Sequence, residues 1–208
     1  MFAIRRRGSQ DSRQRGQALV EFALIIPLVL FLLMALLEMA LAFNAFVGIN
    51  RVSQFGAHLA SIMTNQQGAD CLILQQIEEH VEVPNRRENI VAVVVERTAL
   101  AGNRTFAEMH YQRAGQTQCT LPDGTDVTVP YTLAASALPA YPESDRCPVL
   151  KGCPSLGDDR TTVDNIGVRV RYRHEWVTPL SAATEFLPGG GQGWAFTQRN
   201  IYRMEPAL

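Results

Sequence analysis

Residues 22–37 read Phe-Ala-Leu-Ile-Ile-Pro-Leu-Val-Leu-Phe-Leu-Leu-Met-Ala-Leu-Leu without one polar side chain, and only Glu38 interrupts the wider apolar run 22–43. As a helix this wider run is about 33 Å long, enough for a hydrocarbon core of about 30 Å. A helix is the economical form there, because peptide groups in lipid must bond within their own segment. Pro27 removes one donor and frees the carbonyl of Ala23, so the pattern predicts a mild kink. Past Phe43 the pattern turns amphipathic. Val52, Phe55, Leu59, Ile62 and Met63 recur at helical spacing, with Arg51, Gln54, His58 and Ser61 between them. One N-terminal helical region is therefore expected over 17–67, with a membrane span at about 22–43 and an amphipathic extension to about Thr64. Gly68 is expected as its C-cap. Gly48 and Gly56 lie inside it, as sites either of close packing or of flexibility.

The remainder, 68–208, alternates differently. Asp70 is placed to cap a short second helix with Leu72, Ile73, Ile77 and Val81 on its apolar side, stopped by Pro84. Residues 90–96 are rich in β-branched side chains and predict a buried strand. A turn at 99–103 leads to a hairpin partner at 104–112. Residues 115–159 are loop-rich, and within them 126–131 predicts an edge strand, since Pro130 cannot donate to a ladder. Ile166, Val168, Val170, Tyr172 and Trp176 alternate with Arg169, Arg171, Arg173 and Glu175, the pattern of an antiparallel strand with one wet face. The arginine row is either a solvated strand face or a patch for an anionic partner. A Gly-rich loop at 187–193 precedes a last strand at 194–204. The fold class read from this is α+β: a long N-terminal transmembrane and amphipathic helix, then a small domain with an antiparallel sheet.

The net charge of -1 over 208 residues hides five arginines and one aspartate in 1–16, a polar stretch expected to lack regular structure. The positive-inside rule then places the N-terminus in the cytoplasm and the domain outside. No aromatics interleave the basic stretch, and it abuts a membrane-length apolar run, so nucleic acid is not an expected partner. The four cysteines, Cys71, Cys119, Cys147 and Cys153, all fall on the outer side, where an even count favours disulfides over metal. Three connectivities are possible. Cys147 and Cys153 flank a short turn-like loop, and elimination then pairs Cys71 with Cys119; free buried thiols are the alternative.

Candidate chemistry adds little. His58, His80, His110 and His174 are far apart in the chain, and no zinc-protease, nucleophile-elbow, phosphate-loop or C-x-x-C pattern occurs. His174 and Glu175 are adjacent on a strand and point to opposite faces, so they do not act as a pair. No catalytic residue, metal or cofactor is expected, and the chain reads as a non-enzyme. Asn103-Arg-Thr105 matches a glycosylation triplet short enough to arise by chance.

One feature of the apolar segment remains. Glu21 sits at its entry, where a carboxylate costs a few kcal/mol and is kept for a reason. With the basic stretch ending at Gly16, then Gln17-Ala-Leu-Val-Glu21-Phe22 and Pro27, the segment resembles a type IV prepilin. In this variant it resembles the TadE-like family, minor pseudopilins of Tad/Flp-type pilus assembly. The resemblance covers 15 to about 60. It implies a basic leader 1–16, cut between Gly16 and Gln17 by a prepilin peptidase. It also implies that Glu21, beside Phe22, neutralises a neighbouring subunit's N-terminus during assembly. The implied partners are the membrane, other pilins or pseudopilins and an inner-membrane assembly platform. The implied location is the bacterial inner membrane, single pass, with the domain periplasmic. Two other readings stand beside it. Met39-Ala-Leu-Ala42 offers an ordinary signal peptidase a cut before Phe43, giving a secreted binding domain, although the apolar region exceeds the about 7–15 residues of a signal peptide. An uncleaved single-pass envelope enzyme is the other, without a residue constellation to support it.

Overall fold

The computed structural model describes residues 10–81, 85–99, 101–148, 163–179 and 193–204, with side chains from residue 16 onward. Helix α1 runs Gln10–Met63, 54 residues with Pro27 inside it, about 81 Å from end to end. It starts earlier than the pattern predicts, so residues 10–16 are helical. Gln and Arg are good helix formers, and nothing between Gln10 and Gly16 breaks a helix. It ends where Thr64 turns left-handed at φ 50°, its amide still donating to Ala60 O at 3.3 Å.

Helix α2, Ala69–Glu79, follows at once. Gly68 opens it rather than closing α1: its φ of 83° is left-handed, and its amide faces a carboxylate brought from elsewhere. Glu143, in a 3-10 turn at Glu143–Asp145, accepts hydrogen bonds from the amides of Gly68 (2.8 Å) and Asp70 (2.6 Å). That supplies the acceptor and the negative charge that a helix N-terminus favours. Asp70 is therefore not the cap, and its side chain is free for another partner. The apolar face of this stretch is Ile73, Leu74, Ile77 and Val81, with Leu74 in the place expected for Leu72.

Both helices lie on one face of a five-stranded antiparallel sheet of order β5-β2-β1-β6-β7. The strands are β1 Ile90–Thr98, β2 Thr105–Gln112, β5 Thr132–Ala134, β6 Asn165–His174 and β7 Trp194–Arg203. The remaining two, β3 Thr117–Thr120 and β4 Asp126–Val129, form a separate hairpin. The core is Ala45, Ile49, Val52, Ala57 and Ala60 of α1 and Ile73 and Ile77 of α2, against Val93, Val95, Ile166, Val168 and Val170 of the sheet. Two polar bonds fix α1 on β6 and β7. Ser53 Oγ donates to Val168 O at 2.8 Å, and Asn200 Nδ2 donates to Asn50 Oδ1 at 3.1 Å.

Gly48 and Gly56, in the part of α1 seated on the domain, are packing sites. A Cβ on Gly56 would stand 3.2 Å from Ile77 Cδ1 and 3.3 Å from Val168 Cγ1, at the crossing of α1, α2 and β6. A Cβ on Gly48 would meet the side chain of Asn85. Gly56→Val is expected to cost about 1–3 kcal/mol by overpacking, outweighing the few tenths gained in helix propensity. Urea unfolding of the full chain in detergent measures it; a more stable variant would show that the site is loose.

Candidate functional site

The sequence features singled out for processing and assembly gather on one bare length of α1. From Gly16 to Leu37 every residue is exposed except Ala35, which is half-covered. Gly16 has open space around its Cα, and Phe22, Leu24, Leu28 and Leu36 are each at least 60% exposed. By length and composition this stretch is apolar enough to cross a membrane, and none of its most apolar part is covered by the rest of the protein. Gln17 and Glu21 meet here: Gln17 Nε2 donates to Glu21 Oε1 at 3.1 Å, one helical turn away. Pro27 lies inside the continuous helix.

The bare length ends at a residue the pattern marked only as an interruption. Glu38 is 1% exposed. Its carboxylate accepts the amide of Val177 at 3.1 Å and of Thr178 at 2.9 Å, and lies 3.1 Å from His174 Nε2. An anion in apolar surroundings is tolerable when such donors replace its water. Beyond it, Ala42, Ala45 and Ile49 are buried under the sheet. Glu38 is thus the first residue of α1 that the domain grips. The available signal was that it is the only charge in 22–43; its partners lie 136 to 140 residues away, which no local pattern reveals. His174 faces α1, while Glu175 is exposed and reaches Arg86 at 3.8 Å. β6 ends at His174, short of the strand end expected at Trp176, so Glu175 lies just past the strand, and the two residues have opposite surroundings.

The arginine row divides. Arg169 is 2.8 Å from both Glu96 and Glu108, Glu96 is fully buried and also pairs with Arg199, and only Arg171 and Arg173 face solvent. The inner part of the row is therefore a cross-strand ion network.

At the far end of α2 the domain holds a second buried cluster. Asp70 pairs with Arg146, whose side chain is 0% exposed, and accepts the Tyr111 hydroxyl at 2.6 Å. Burial opposes the Arg146 charge, but the Asp70 carboxylate outweighs it and holds the guanidinium above its usual value. Cys71 and Cys119 form a disulfide closing a separation of 48 residues, which tethers β3–β4 to α2. In the chain-entropy account a loop of that size is worth about 4 kcal/mol. Cys147 is buried and also disulfide-bonded; Cys153, its expected partner, lies outside the described residues. A cleft of about 590 Å³ opens between α2, the disulfide and β3–β4, lined by Asp70, Tyr111, Tyr131 and Glu143 among others.

Three tyrosines in this region resist ionisation. Burial first, then the carboxylates of Asp70, Glu78 and Asp164, push Tyr111, Tyr131 and Tyr141 well above the ordinary phenol value. In the unfolded chain they ionise near pH 10. Their protonated state therefore costs nothing below about pH 10, and above it the unfolded state is favoured by roughly 1.4 kcal/mol per pH unit for each tyrosine. Stability is expected to be flat across neutral pH and to fall steeply above pH 10. Tyr131→Phe should flatten that fall, as urea midpoints across the alkaline range will show.

The model of the family described as TadE-like protein matches residues 16–58. The matched segment starts at Gly16 and contains Gln17, Glu21, Phe22, Pro27, Glu38, Ser53 and Gly56. It thus takes in the whole bare length of α1 and most of the part seated on the sheet. No curated protein and no solved structure matches the chain.

Proposed function

We propose that this TadE-like chain is a minor pseudopilin acting in assembly of Tad/Flp-type pili, cut after Gly16 by a prepilin peptidase. The observation that carries the reading is a coincidence of ranges. The family match begins at the residue where the basic leader ends, runs along a length of apolar helix, up to Leu37, that the described residues leave exposed, and continues onto the part seated on the sheet. The uncovered apolar run 22–37 has no stable place in water: about 25 cal/mol for each Å² of its surface favours lipid or other helices. We place the membrane-embedded part at the uncovered residues up to Leu37, with the domain on the periplasmic side of a bacterial inner membrane. The partners are then the peptidase, other pilins or pseudopilins and the assembly platform, and the role is non-catalytic. Glu21 is assigned to assembly, pairing with the α-amine of a neighbouring Gln17.

The secreted reading fares poorly against the grip on Glu38. A cut before Phe43 would remove the carboxylate that holds the amides of Val177 and Thr178 and faces His174. Mass spectrometry of the mature protein tests both readings. Gln17 is the expected N-terminus; a free α-amine there fits the pairing assigned to Glu21, whereas a cyclised Gln17 would support the cut and leave Glu21 without its proposed partner. Phe43 would establish secretion instead, and Met1 an uncleaved anchor.

A further inference from the structure

Glu38 leaves no slack between the bare length of α1 and the domain. The last exposed residue before it is Leu37, and the carboxylate of Glu38 is itself clamped by the loop after β6. The domain surface around that clamp therefore starts where the bare helix stops. Its composition is unusual. Trp194 pairs in register with His174, which contacts Glu38, and Trp194 meets Trp176 edge-on at 5.3 Å. Trp194 is 41% exposed, Val177 68% and, on α1 itself, Met39 53% and Phe43 68%. Phe43 lies about 7.5 Å further along the helix than Glu38. That is about the depth of one polar interfacial layer of a bilayer. Tryptophan favours this layer, where its ring is half in an apolar and half in a wet environment.

We propose that this face, built by Trp176, Val177 and Trp194 together with Met39 and Phe43, is a lipid-docking surface that seats the domain on the outer leaflet. The occupant is the phospholipid interface, because the face is continuous with the uncovered helix and no linker separates the two. The Glu38 clamp then fixes the height and tilt of the domain over the membrane. This inference rests on the reading of the bare helix as a membrane span.

The chain has two tryptophans, so its tryptophan emission, excited where tyrosine does not absorb, reports on this face alone. The test uses the full chain reconstituted in phosphatidylcholine vesicles, with flotation measured alongside. The lipid is brominated either high on the acyl chain or near its end. High bromine is expected to remove most of the tryptophan emission and deep bromine much less. Val177→Glu, a change at an exposed side chain, is expected to weaken the quenching while flotation and far-ultraviolet dichroism stay unchanged; unaltered quenching counts against the proposal. Flotation with no quenching by either lipid overturns the docking surface and leaves the membrane span standing. Stronger quenching by deep bromine overturns it too, since the pair would then lie in the hydrocarbon. A blue shift that grows with protein concentration, without quenching, would assign the face to a neighbouring subunit and overturn the lipid assignment. Failure to float overturns the span and this inference together.

Discussion

Asp70→Ala is expected to lower folding stability by about 3–5 kcal/mol, the usual cost of stranding one member of a buried ion pair. Arg146 has no exposed side-chain surface, and Asp70 is 8% exposed by side chain. Removing the carboxylate leaves a guanidinium out of water and takes the acceptor from the Tyr111 hydroxyl, which donates to it at 2.6 Å. Such a loss is large against the total stability of about 5–15 kcal/mol typical of a domain. The effect should be recovered in large part by Asp70→Ala combined with Arg146→Met, because the cost comes from the uncompensated charge rather than from a missing attraction. Urea unfolding of the full chain in detergent, followed by tryptophan emission, measures both. A single-variant loss under about 1 kcal/mol would show that Arg146 finds water or another carboxylate.

Glu21→Ala is expected to leave cleavage after Gly16 intact and to cut surface piliation by about tenfold or more. The tenfold figure follows from stranding the neighbour's α-ammonium in an apolar bundle, where an unpaired charge costs about 2.5–3.5 kcal/mol. The Glu21 carboxylate offsets that cost, and each 1.4 kcal/mol of lost pairing is a factor of ten. In the uncut chain Glu21 accepts the Gln17 side-chain amide, at 3.1 Å. On the proposed reading, cleavage would expose a charged α-amine on Gln17 of each subunit, and assembly would bring that charge to a neighbour's Glu21. A substitution at Gly16 acts at the other step and should block processing, because a side chain there keeps the peptidase from the backbone. One strain gives both readouts, the fraction of mature protein and the yield of surface pili. Normal piliation in Glu21→Ala would refute the pairing. Loss of cleavage in the same variant would make Glu21 part of what the peptidase reads.

Periodicity determined most of the elements. The apolar run and its amphipathic continuation specified α1, alternation specified β6, and β-branched richness, a turn and a Gly-rich loop placed β1, β2 and β7, because these signals are local. The class of the fold followed from them, and so did the resemblance carried by Gly16, Glu21 and Pro27. Short or weakly patterned pieces were not legible. β3 and β5 have four and three residues, too few for a period, and they exist because a disulfide and a sheet edge hold them. The ends of the helices were misjudged where the deciding group is distant: Glu143 caps α2 from 73 residues away, which releases Asp70 for Arg146. Tertiary structure alone decided what Glu38 does. The sequence marks it as one charge in an apolar run. Only the return of β6 brings two amides and His174 to its carboxylate, and a buried charge is stable only where such partners converge.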